Sequence, residues 1–177
     1  DVYKRQLPPT VLVTGANGFV GRHVVVELLQ RGLHVVCLVR RRGHTLATDS
    51  RSRMLSSLQA ANLTLTPEQS LRLRVVDGDV SRPLLGLTRV LYEQLAEEVS
   101  VIFHSAAMLG FAAPYSNLRE TNVLGTKRAL EFAVCRRVKR FNHVSSLLAT
   151  SLDMTNSMGM ITEVSPLGDA TVYPVLG

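Results

Sequence analysis

Three glycines at intervals of three, Gly15, Gly18 and Gly21, stand where the apolar run Val11–Val13 gives way to an amphipathic helical pattern. A helix start at this point offers unpaired N–H groups and the positive end of its dipole, which together suit a pyrophosphate. Gly15 can take the tight turn, Gly18 lets a phosphate approach the backbone, and Gly21 lets the helix pack close to the strand. Asn17, Phe19 and Val20 complete the loop. A second cluster follows the next apolar run as Arg40-Arg41-Arg42, with no acid nearby. In dinucleotide sites a carboxylate there binds the ribose 2′-hydroxyl of NAD, whereas an arginine accommodates the 2′-phosphate of NADP. Guanidinium matches phosphate geometry and keeps its charge. Arg40 is the candidate, and NADP(H) the cofactor it implies.

These groups need a frame of parallel strands. Leu12 and Val13 belong to a first strand, and the helix after the glycines carries Val20, Val24 and Leu28 on one stripe with Val25 and Leu29 beside it. Gly32 is a natural helix stop. His34–Val39 is almost wholly apolar, as befits a strand buried on both faces. A helix over Leu46–Ala61, a loop at Leu63–Pro67 and an edge strand over Leu71–Val76 are expected next. Thr88 should cap a helix that runs to about Glu98. Val101–His104 reads as a fourth strand, Tyr115–Arg136 as one long helix, and Phe141–Val144 as a fifth strand leading into Ser145 and Ser146. The architecture is an α/β doubly wound parallel sheet of the Rossmann type, in the order 3-2-1-4-5.

The 177 residues are 46% hydrophobic, enough for one sizeable core. No apolar run approaches the roughly 18 residues that span a bilayer, and no leader pattern is visible. Cys37 and Cys135 each lie in an apolar context, as reduced thiols would, and the five His form no metal-ligand spacing. A cytoplasmic location follows, with no metal. The net charge of +6 sits largely in two basic clusters without interleaved aromatics, so a nucleic-acid partner is not expected.

Thr14-Gly15-x-x-Gly18-Phe19-x-Gly21 resembles the fingerprint of the extended short-chain dehydrogenases/reductases. From about Pro9 onward the chain is similar to their thioester-reductase group, NADPH-dependent domains that release carrier-bound acyl chains as aldehydes or alcohols. Gly78-Asp79-Val80 resembles the family's adenine-pocket triplet. The resemblance implies that Asp79 accepts from the adenine amino group and that Val80 covers the ring; an Asx turn is the alternative use of Asp79. Ser105, Ala106 and Ala107 would lie against the ribose and nicotinamide, although relatives usually carry Asn at the first of these positions. Asn122-Val123-Leu124-Gly125-Thr126 matches the N-V-x-G-T motif, whose Asn orders the active site. Ser145 would sit by the nicotinamide, and Ser146 would hydrogen-bond the substrate carbonyl as a catalytic residue beside a Tyr of a Y-x-x-x-K motif.

That motif is missing: none of Tyr3, Tyr92, Tyr115 and Tyr173 has Lys four residues later. The frame is expected to stop one residue before the catalytic Tyr, leaving residues 7–177 as an incomplete cofactor-binding domain that is inactive by itself. Asp1–Gln6 reads as an appended segment resembling a translated sequencing adapter. The expected partner is an acyl-carrier-bound thioester, with possible fusion to upstream synthetase modules. A reductase or epimerase acting on sugar nucleotides or sterols, or a non-catalytic NADP sensor, is the alternative.

Overall fold

A computed structural model describes residues 8–42, 49–110 and 112–146. The chain divides into two units, the first ending at His143 and the second beginning at Val144. In the first unit β1 (Thr10–Thr14) leads to α1 (Phe19–Gln30) and β2 (His34–Val39). Then come α2 (Ser50–Gln59), α3 (Pro67–Arg72), β3 (Leu73–Asp77), a 3₁₀ turn at Pro83–Gly86, and α4 (Arg89–Glu98). The unit closes with β4 (Val99–His104), α5 (Tyr115–Arg119), a π turn at Glu120–Leu124, α6 (Gly125–Val134) and β5 (Arg140–His143).

The five strands are parallel and run in the order β3-β2-β1-β4-β5, as expected. Side chains alternate across the central strands, so each face carries its own core. Val11, Val13, Val35 and Cys37 pack with Val25 and Leu29 of α1 and with Met54 and Leu58 of α2. Leu12, Val36 and Ile102 pack with Tyr92 and Leu95 of α4 and with Phe132 of α6. Each large buried side chain contributes roughly 1.5–3 kcal/mol. Burial drives the Cys37 thiol far above its ordinary range, so it is an inert thiol of the core.

Helix limits follow local chemistry. Gly32 takes φ +80° after α1, and Leu33 N–H returns to Leu28 O at 3.1 Å, a Schellman stop. Thr88 caps α4, its hydroxyl accepting from Leu91 N–H at 3.3 Å.

Four expectations need correction. The buried stripe of α1 is Gly21, Val25 and Leu29 with Val26, while Val20 is exposed and Val24 and Leu28 are only half-buried. Gly21 abuts the end of β1, which turns its i+4 neighbours toward the sheet. Leu71 and Arg72 end α3 instead of opening β3, because Thr66 and Gln69 form a capping box over Pro67. The long helix is interrupted by the π turn that contains Asn122, and α6 ends at Val134 before Arg136 takes φ +62°. The fifth strand begins at Arg140 and stops at His143. Leu46 of the expected second helix, Asp1–Gln6, and the segment from Tyr173 to Gly177 lie outside the described residues.

Candidate functional site

The C-terminal ends of β1, β2, β3 and β4 border one cleft. Its wall holds Gly15, Asn17, Gly18, Arg40, Asp79, Val80, Ser105, Ala106 and Ala107, all predicted from sequence. Leu38, Arg42, Arg53, Gly78 and Thr121 join them. Gly21 lies behind the cleft, and Phe19 and Val20 point outward at 75% and 44% exposure.

Gly15 has φ +67°, and a Cβ on it would stand 2.7 Å from Ser105 and Ala106 backbone atoms. The ends of β1 and β4 can meet only because that Cβ is missing. A Cβ on Gly18 would meet nothing closer than Gly15 O at 3.1 Å, a contact that this oxygen must relieve by a few tenths of an ångström. Asp49, Thr66 and Thr88 cap α2, α3 and α4 through their side chains, whereas α1 has no capping side chain and no acid in its first turn. Its start, at the cleft-lining Gly18, therefore has no side-chain acceptor for its first N–H groups.

Three guanidinium groups border this space. Arg40 and Arg42 follow β2, and α2 brings Arg53 back so that it bonds the Arg40 carbonyl oxygen. The pairing depends on the Asp49 cap, whose carboxylate accepts from Ser52 N–H at 2.6 Å. Among the described residues none of the three is in an ion pair. Partial burial, then the charges of Arg42 and Arg40, draw the Arg53 guanidinium below its ordinary value. The arrangement asks for an anion.

Asp79 adopts the Asx turn that was the alternative reading: its Oδ1 accepts from Ser81 N–H at 2.9 Å and from the Ser81 hydroxyl at 2.7 Å. The Asp79 N–H donates to Leu85 O at 2.7 Å. Leu84 and Leu85 hold this brace at φ +53° and +57°, a left-handed conformation that costs a non-glycine residue roughly 1–2 kcal/mol. Gly86 must be small, since a Cβ there would stand 2.8 Å from Asp79 N.

The π turn brings Asn122 beside the cleft. Its amide nitrogen donates to Met108 O at 3.0 Å, and its Oδ1 accepts from Met108 N–H at 2.7 Å. Both main-chain groups of the residue after Ala107 are thereby held. Gly125 lies against Val80, with a Cβ position 3.0 Å from Val80 Cγ2. The Ser105 hydroxyl donates to Thr14 O at 2.8 Å.

Sequence reasoning gave no role to His104, or to Thr14 and Thr126 within their motifs. His104 is fully buried, 2.8 Å by Nδ1 from Thr14 Oγ1 and 3.1 Å by Nε2 from Thr126 Oγ1. Burial, then the charge of His143, pushes its imidazole down to about 4, so it is neutral at ordinary pH. A histidine ending an otherwise apolar strand, next to the small triplet, was the available signal. Ser145 and Ser146 follow β5 as exposed residues at the start of the second unit. Among the described residues no cluster could hold a metal ion, and no helix is long and apolar enough to cross a membrane.

The family described as male sterility protein, an NAD-binding family, matches residues 13–165. The large subunit of L-2-aminoadipate reductase from Penicillium chrysogenum is 34% identical over 148 residues, covering 82% of this chain and 10% of that protein. The terminal R domain of the myxalamid PKS-NRPS biosynthetic pathway superposes with a TM-score of 0.80 at 32% identity, over 93% of this chain and 41% of that one. Gre2 of Candida albicans, solved in complex with NADPH, gives a TM-score of 0.59 at 26% identity, over 81% of this chain and 39% of that one. The chain thus spans less than half the length of each.

Proposed function

The chain belongs to the male sterility protein family of NAD-binding domains, and we propose that it is the cofactor-holding part of an NADPH-dependent reductase of carrier-bound acyl thioesters. The observation that carries the choice of NADPH is the group of Arg40, Arg42 and Arg53 at the cleft, without ion pairs among the described residues. Arg40 pairs with the 2′-phosphate, the uncapped start of α1 with Gly18 receives the pyrophosphate, and Asp79 accepts from the adenine amino group through Oδ2. Val80, kept in place by Gly125, covers the adenine. Ser105, Ala106 and Ala107 admit the ribose and nicotinamide, with Ser145 beside the ring.

NADPH, when bound, would supply the hydride that adds to the acyl carbon, and the carrier thiol would leave as the C–S bond breaks to give the aldehyde. The protein's part is to hold the cleft's backbone and to stabilise developing negative charge on the carbonyl oxygen. Asn122 does the first by fixing Met108, and the Ser146 hydroxyl does the second as a hydrogen-bond donor. The likeness to a terminal domain of a PKS-NRPS pathway supports fusion to upstream synthetase modules, with an acyl carrier protein as partner.

The test offers the full-length protein a carrier-loaded acyl thioester with NADPH or NADH and follows cofactor oxidation and aldehyde. NADPH-dependent aldehyde formation is expected. Tight NADPH binding without turnover of any thioester would replace the reductase with a sensor, and oxidation or epimerisation of a sugar nucleotide would replace the substrate class.

A further inference from the structure

We propose that His104 is a positioning residue for this site: a neutral imidazole carrying its proton on Nε2, which locks the Ala106–Met108 backbone and Asn122 into one arrangement. The proposal deepens the reductase reading and rests on it. The proton positions follow from counting hydrogens. The Thr126 hydroxyl has one proton and donates it to Asn122 O at 2.7 Å. Toward His104 Nε2, 3.1 Å away, Thr126 Oγ1 can therefore only accept, so Nε2 is the protonated nitrogen. Nδ1 is then an acceptor, and the Thr14 hydroxyl donates to it at 2.8 Å. Thr14 Oγ1 in turn accepts the Ala106 N–H at 3.3 Å.

Every bond in this chain points the same way, from Ala106 through Thr14, His104 and Thr126 to the Asn122 carbonyl oxygen, so each polarises the next. The circuit closes on itself, because the Asn122 side chain holds Met108, two residues beyond Ala106, by both main-chain groups. It joins β1, β4, the π turn and the segment that borders the cleft. A proton on Nδ1 would place donors on both ring nitrogens and reverse the Thr14 bond, so the circuit works only while the ring is neutral. The groups facing the ring are the hydroxyls of Thr14 from β1 and Thr126 from α6, and the rings of Phe141 and His143 from β5, with His143 stacked at 5.4 Å.

The experiment uses the full chain, unsubstituted and with Thr126→Val or Thr126→Ser. Imidazole nitrogen shifts report the tautomer, hydrogen exchange at Met108 N–H reports the lock, and kcat against NADPH Kd reports its use. The expected result is the Nε2–H tautomer in the unsubstituted protein. Thr126→Val should exchange Met108 N–H faster and lower kcat roughly ten- to a hundredfold with Kd within about threefold, and Thr126→Ser should restore both. An Nδ1–H or charged ring, unchanged exchange in Thr126→Val, or equal losses in kcat and Kd would each overturn the proposal. The first two readouts need no substrate. If they come out as expected while no thioester is reduced, the reductase reading fails and the lock stands.

Discussion

Gly18 and Gly21 belong to one fingerprint, yet the geometry separates their roles, and substitution should separate them too. Gly18 sits in extended backbone at φ −79° and ψ 175°, which a β-branched residue adopts readily. A Cβ there stands 3.1 Å from Gly15 O, so that oxygen must give by a few tenths of an ångström. The stability cost of Gly18→Val is accordingly about 1 kcal/mol or less, mostly the poorer N-cap. The branched side chain should fill the space proposed for the pyrophosphate at the start of α1. Losing two charge-assisted hydrogen bonds, at roughly 1.5–3 kcal/mol each, weakens NADPH binding by at least about a hundredfold. Gly21→Ala behaves in the opposite way. Its Cβ would lie 2.1 Å from Gly15 O, 2.8 Å from Gly15 C and 2.9 Å from Ala16 Cα, all backbone atoms with no rotamer to yield. Overpacking of this kind costs about 1–3 kcal/mol, which is roughly 2–12 °C in Tm for a chain of this size. Titration of cofactor fluorescence and a thermal melt on both variants in the full-length protein decide the matter. NADPH binding by Gly18→Val within threefold of the unsubstituted protein refutes the cradle. A Tm loss in Gly18→Val equal to that of Gly21→Ala refutes the division of roles.

Other outcomes follow from the same site. Arg40→Ala should weaken NADPH roughly tenfold or more with little change for NADH, and equal losses for both cofactors would remove Arg40 from the 2′-phosphate. Ser146→Ala should lower kcat about 10²–10³-fold in turnover assays of the full-length protein while leaving cofactor affinity alone; unaltered turnover would show that another donor stabilises the oxyanion. His104 has a folded-state value of about 4 against an ordinary 6.5. The unfolded chain therefore takes up its proton first, and stability that is complete above pH 6.5 declines by up to about 3 kcal/mol as pH falls to 4. Melting curves across that range should show the decline, and His104→Phe should flatten it.

Much of the frame was legible along the chain. The apolar runs of β1 and β2, the glycine turn, the Gly32 stop and the Thr88 cap are local signals, and parallel strands joined by helices leave few strand orders to choose from. The capping box at Thr66 was equally local but went unread, so α3 was expected as a loop and the start of a strand. The glycine turn and Arg40 could be named because each follows the end of an apolar strand, whereas Asp79, Val80 and Ser105–Ala107 were named through the family resemblance, and all of them border one cleft. The π turn at Asn122, the left-handed Leu84–Leu85 brace, the return of Arg53 to Arg40 and the His104 circuit were of another kind. Each depends on partners 13 to 92 residues apart, or on a backbone conformation that its own residues disfavour. A period of 3.6 or of 2 reports which face is buried, but it carries no information about which hydroxyl meets which ring nitrogen across two strands and a helix. Those contacts exist only after the sheet has formed, when buried polar groups must find partners in the packing around them.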